Sequence, residues 1–245
     1  MLERILSTTL GAFAVGAIGV NRSLRHAKVT ARVAGWTKYL VFLALVHGVI
    51  LVALIGRIVS FPFFGALLGL GAIEISRIAC YRRVVSIVAF MLLAFGLLGF
   101  IWSETGRVVL FVFLVTGAFD GFSQVAGQNF GHHQLAPQTS PAKTIEGSAG
   151  GLFGAVAIGM WLRPLAGLSF EVTLISSGLT CVAALFGDLL ASKVKRLNGV
   201  KDFGTLIPGH GGILDRFDSF VMVGCGWWLA TLVLRACAHL SLRFD

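Results

Sequence analysis

The chain has 245 residues, 56% of them hydrophobic and only 13% charged, with a mean hydropathy of +0.88, which excludes an ordinary soluble domain. Its formal charge of +9 does not indicate nucleic acid, because Lys and Arg fall in short gaps between apolar runs rather than on one solvated face. Cys80, Cys181, Cys225 and Cys237 have no CxxC spacing, so neither a zinc site nor a disulfide framework is indicated.

The apolar runs predict an all-α fold, a polytopic integral membrane protein of about eight transmembrane helices within a range of seven to nine, with no soluble domain. Residues 5–20 resemble the apolar part of a signal peptide, but the basic NRSLRH that follows is a stop rather than a cleavage site, so they are read as the first helix. Further helices are predicted near 39–56, 61–76, 84–102 and 107–120. Within the third, Glu74 is an intramembrane acid, a functional candidate unless Arg77 one turn later pairs with it. A polar connection, 121–148, precedes a helix at 149–163, where Arg163 and Pro164 interrupt the pattern. Helix 171–190, a second long connection at 191–218 and a last helix at 219–240 complete the map. His47, His239, Trp227 and Trp228 lie on apolar stretches, where packing and interface anchoring account for them. The whole chain, 1–245, reads as one membrane-embedded domain: residues 1–116 supply amino-terminal helices and 117–245 the transmembrane region that carries both long polar connections.

Cytoplasmic connections collect Lys and Arg. On this map 14 basic residues face one side and five the other, with Arg235 inside the last helix. Both long connections are therefore expected in the cytoplasm, where nucleoside triphosphates are found, with both termini on the far side.

The charges concentrate between 188 and 218. There Asp188, Asp202, Asp215 and Asp218 accompany Lys193, Lys195, Arg196, Lys201 and Arg216. Carboxylates suit Mg²⁺, a hard cation that takes oxygen ligands and usually shares substrate phosphates, and the bases suit an anionic substrate. Asp215 and Asp218 are three apart, so a last helix beginning near Leu214 puts both on one face, with Asp188 as a third metal candidate at the end of the preceding helix. Gly209, Gly211 and Gly212 of PGHGG would let backbone amides approach a phosphate, and His210 could donate to it. Alone, that motif reads as a loop before a helix; the surrounding charges change the reading.

These residues resemble the signature of the phosphatidate cytidylyltransferases, also called CDP-diacylglycerol synthases. The matching positions are Ser192, Lys195, Arg196, Lys201, Asp202, Gly204, Pro208, His210, Gly211, Gly212, Asp215, Arg216 and Asp218. Upstream, SPAKTIEG resembles a second family element through Ser140, Pro141, Lys143, Thr144, Glu146 and Gly147, and Asp120 with Gly127 and Gly131 resembles a looser third. His132, Gln124 and Ala191 depart from the family pattern and leave the acceptor lipid open.

The resemblance implies a membrane enzyme, a homodimer, that makes CDP-diacylglycerol and pyrophosphate from CTP and phosphatidate with Mg²⁺ and room for a second cation. Metal binding then falls to Asp188, Asp215 and Asp218. Lys195, Arg196, Lys201 and Arg216 would stabilise the leaving pyrophosphate, while Asp202 and His210 orient their neighbours. Asp120, Ser140, Lys143, Thr144, Glu146, Ser192, Gly211 and Gly212 are expected on the substrates. The expected location is the bacterial inner (cell) membrane, with the site facing the cytoplasm. Two alternatives stay open: a CTP-dependent transferase for another lipid phosphate, and a polytopic transporter, which would leave the charged connection at 188–218 without a use.

Overall fold

The computed structural model describes residues 2–25, 28–78, 83–207, 209 and 211–241. Its helices are α1 (Leu2–Ser23), α2 (Val29–Ile55), α3 (Arg57–Ile78), α4 (Arg83–Ser103), α5 (Gly106–Phe130), α6 (Ile145–Ala166), α7 (Phe170–Leu197) and α8 (Leu214–Ser241). Between α5 and α6 stands a two-stranded antiparallel hairpin, β1 (Gln134–Ala136) and β2 (Ser140–Thr144). Among the described residues, eight helices are long and apolar enough to cross a bilayer. A helix satisfies its own backbone amides and carbonyls, which makes it a form that apolar runs can take in lipid. The outward faces bear the mark of that solvent: Ile58, Phe153 and Val84 are 82%, 76% and 73% exposed. The protein is an all-α polytopic membrane protein.

All eight predicted helices are present, but several run further than their apolar cores. α2 begins at Val29 rather than 39, α5 continues to Phe130 rather than 120, and α7 continues to Leu197 rather than 190. Polar residues extend a helix without cost where it emerges from the hydrocarbon, so hydropathy marks the membrane slab and not the helix end. The polar connections shrink to 131–144 and 198–213, and Ser192, Lys193, Lys195 and Arg196 become helical. Pro164 interrupts nothing, because it lies in the last turn of α6, which closes on Gly167 in the left-handed conformation (φ 69°).

Small residues bring the helices together. Along α6, Gly147, Gly150, Gly151 and Gly154 face Ser123, Ala126, Phe119 and Phe122 of α5, and a Cβ at Gly147 or Gly151 would lie within 3 Å of the Ser123 or Phe119 carbonyl. Gly187 does the same for α7 and α8: its missing Cβ would stand 3.1 Å from the Asp218 carbonyl and 2.7 Å from Met222 Cβ. Below this contact, Phe64 of α3 meets Phe217 and Phe220 of α8 at ring distances of 6.2 and 5.7 Å, and Phe113 of α5 meets Phe220 at 5.4 Å. These contacts fix where the first turn of α8 stands. Trp227 donates to Thr180 at 2.9 Å and His47 pairs with the Leu43 carbonyl at 2.9 Å, both in keeping with the packing roles expected of them.

Candidate active site

The carboxyl ends of α3, α5 and α7, the amino ends of α6 and α8, and the hairpin meet at one end of the bundle. Alternation of the helices puts most of the basic residues at this same end.

At its centre, Lys143 of β2 forms an ion pair with Asp188 of α7. Ser192, one turn further along α7, donates to the other Asp188 oxygen at 3.4 Å. Asp188 acts electrostatically on both Asp120 of α5 and Asp218 of α8, and Lys143 and Arg216 on Asp120. The missing Cβ of Gly187 produces this meeting, because backbone contact between α7 and α8 draws Asp188 beside Asp218. Asp120 and Arg216 are exposed, so the cluster opens outward.

Asp215, expected to bind metal, is engaged on both carboxylate oxygens by the protein itself. Its side chain is 1% exposed; one oxygen accepts from Lys195 Nζ at 2.8 Å, and the other from the amides of Phe203 and Gly212 at 2.8 and 2.9 Å. The bond from Asp215 back to the Gly212 amide, three residues earlier, ties the loop to the first turn of α8. Lys195 also lies 5.0 Å above the Phe203 ring. Gly212, expected to offer its amide to a phosphate, gives it to Asp215. Gly211 (φ 81°) backs on to Asp202 Cβ, and its carbonyl accepts from Ile207 N at 2.8 Å. His210 and Pro208 lie outside the described residues.

The upstream block is held in the same manner. Thr144, expected on substrate, caps α6 by accepting from Gly147 N at 3.0 Å. Glu146 accepts from the amides of His132 and His133 at 3.2 Å each and pairs with His133 Nδ1 at 2.6 Å. Together they set the hairpin against α6 and deliver Lys143 to Asp188. Ser140 opens β2 opposite Ala136. Lys201, Asp202 and Arg196 are exposed around the loop, Arg196 donating to the Val200 carbonyl at 3.2 Å.

Sequence reasoning left Glu74 unassigned. It is 4% exposed, forms no ion pair with Arg77 among the described residues, and accepts from the amides of Ile213 and Leu214, both at 2.9 Å. The available signal was the acid itself, since an intramembrane carboxylate requires a partner.

Among the described residues, no three His, Cys, Asp or Glu side chains form a metal cage by themselves. The donor set nonetheless fits a hard cation that keeps its waters and shares substrate phosphates: Asp188 already holds one positive group, the Lys143 ammonium, with Asp120 and Asp218 in electrostatic reach.

Fold and site together define a polytopic helical membrane protein with an acid–base cluster at one end, suited to a phosphorylated ligand. More particularly, residues 7–234 match the cytidylyltransferase family, and the chain belongs to it. It is 42% identical over 124 residues to the phosphatidate cytidylyltransferases of Staphylococcus aureus strain COL and of a Staphylococcus epidermidis strain, and 40% identical over 124 residues to that of Staphylococcus saprophyticus. Each match covers 49% of this chain and 47% of the relative, so the chain spans about half the length of the curated relatives it matches.

Proposed function

We propose that this protein transfers a cytidylyl group from CTP to phosphatidate, forming CDP-diacylglycerol and pyrophosphate. The observation that supports the reading is the meeting of Asp120, Lys143, Asp188, Arg216 and Asp218 in a chain of the cytidylyltransferase family. Relatives named phosphatidate cytidylyltransferase favour that lipid as acceptor. A phosphate oxygen of the lipid attacks the α-phosphorus of CTP, the bond to the β-phosphate oxygen breaks, and pyrophosphate leaves with the electron pair. No side chain needs to become a nucleophile, so the work is positioning and charge neutralisation.

Lys143, freed from Asp188 when substrate arrives, and Arg216 are suited to the reacting phosphates. Lys201 and Arg196, exposed beside the loop, suit the departing pyrophosphate. Ser192 orients Asp188, and Asp202 supports the turn at Gly211. Asp120, Asp188 and Asp218 would hold Mg²⁺, Asp120 taking the place first expected of Asp215. When bound, the cation neutralises phosphate charge and polarises the phosphorus under attack. Residues 117–245 supply this machinery and residues 1–116 the supporting helices. The charge asymmetry of the loops favours the cytoplasmic face of a bacterial inner membrane, and the family resemblance favours a homodimer.

The test is an assay of purified protein in detergent with labelled CTP, Mg²⁺ and a panel of lipid phosphates, following CDP-lipid and pyrophosphate together. Phosphatidate should give both products in equal amounts and at the highest rate. Folded protein that turns over no lipid phosphate would sink the reading.

A further inference from the structure

The first two turns of α8 carry Asp215, Arg216 and Asp218, so the position of its amino end decides where three charged groups of the site stand. A helix start leaves amides without intrahelical partners, and burying them unpaired is costly. Here two carboxylates take them up. Asp215 accepts from Gly212 and, across the loop, from Phe203, while Glu74 of α3 accepts from Ile213 and Leu214. Glu74 lies 139 residues before Ile213, far from the segments 120–147 and 192–218, and reaches α8 through a gap that two glycines keep open. A Cβ at Gly204 would lie 2.7 Å from the Glu74 carboxylate, and one at Gly212 would lie 2.5 Å from it. From α2, the Lys38 stem lies against Gly209 (φ 75°), 2.7 Å from where a Cβ would be.

We infer that Glu74 is a positioning residue for nucleotidyl transfer, its carboxylate clamping the amino end of α8 so that Asp218 faces Asp188 and Arg216 faces Asp120. This rests on the function proposed above. Among the described residues Glu74 accepts hydrogen bonds from backbone amides at the start of α8, so it acts through α8. Its negative charge also meets the positive end of the helix dipole, which suits a carboxylate better than an amide.

The experiment compares wild type, Glu74→Gln, Glu74→Ala and a control, Leu165→Ala, buried at the opposite end of the bundle. Each is measured in detergent for thermal unfolding, for kcat, for KM of the lipid phosphate and of Mg²⁺, and for hydrogen exchange of the segment 203–218. Glu74→Gln keeps the shape and one acceptor, so kcat should fall by about 10- to 100-fold, as expected when catalytic groups shift by a fraction of an ångström, with KM for the lipid within about twofold. Half-saturating Mg²⁺ should rise. Glu74→Ala should lose more, with Gln restoring part of the difference, and both should speed exchange at 203–218. Leu165→Ala should lower the unfolding temperature without changing kcat or that exchange.

Wild-type kcat in Glu74→Gln, or a loss no larger than the fall in folded protein, overturns the inference. Unchanged exchange at 203–218 overturns it as well. A wild type inactive on every lipid phosphate defeats the proposed function instead, and the exchange measurement still decides whether Glu74 holds the loop.

Discussion

Two turns feed helices at the charged end of the bundle, the hairpin before α6 and the loop 198–213 before α8, and carboxylates that accept backbone amides hold both. At the hairpin the carboxylate is Glu146, from the next helix along, partly exposed and bonded to residues 13 and 14 positions away. At the loop the carboxylates are Asp215 and Glu74, both buried, and Glu74 comes from the other half of the chain. Water competes for an exposed bond and can replace it, whereas a buried donor left alone bears its full desolvation cost. The hairpin is therefore the arm, carrying Lys143, whose bonds water can replace, and the start of α8, carrying Asp218 and Arg216, is the platform held by buried bonds.

The largest effect should come from removing the platform's own acid. Asp215→Ala strands the Lys195 ammonium and two amides, and should cost about 3–5 kcal/mol in reversible unfolding in detergent, the range for breaking one side of a buried pair. Asp188→Asn tests the centre between the two turns. It should leave stability nearly unchanged while lowering turnover by about 100-fold or more in the CTP assay, as loss of a group that stabilises developing charge does; retained turnover would remove Asp188 from the chemistry. Gly187→Ala forces α7 from α8 by the width of a methyl group, and should cost about 1–3 kcal/mol and reduce turnover along with it.

On the hairpin side the effects should shrink. Thr144→Ala removes the cap of α6 and should cost about 1 kcal/mol, read from the unfolding midpoint. Glu146→Gln should move that midpoint less than Thr144→Ala; a shift as large as that of Asp215→Ala would erase the distinction between arm and platform.

The opposite end of the bundle supplies the smallest effect. Partial burial raises the Glu104 carboxyl above its ordinary 4.5, and Arg235, 3.5 Å away, opposes this only in part. A group that holds its proton more tightly when folded supports the fold at low pH and withdraws that support as pH rises through its folded value. Wild-type unfolding temperature should therefore fall slightly above pH 4.5 relative to Glu104→Gln, which lacks the titrating group.

Much of this was legible in the residues. Eight apolar runs became eight helices, because a run of that length in lipid satisfies its backbone as a helix. The last helix, mapped from 219, starts at Leu214, the start on which the one-face reading of Asp215 and Asp218 depended, and the concentration of acids and bases at one end was expected. The hairpin was not foreseen, since three- and five-residue strands with mixed exposure carry little periodicity. The two uses of aspartate on α8 were not separable either. Asp215 and Asp218 have the same side chain, one turn apart, and only the path of the loop turns one inward to Lys195 and Phe203 and leaves the other beside Asp188.

Composition and spacing, then, were enough for the membrane, the helices and the charged segment 188–218, because hydropathy and charge act on each residue where it stands. Tertiary structure alone decided the division of labour among the acids. Glu74 was a lone intramembrane carboxylate until α3 met α8, and Asp120 was an acid in an apolar run until α5 met α7. A carboxylate takes its role from the amide, ammonium or second carboxylate it meets, and such partners can lie 139 residues away.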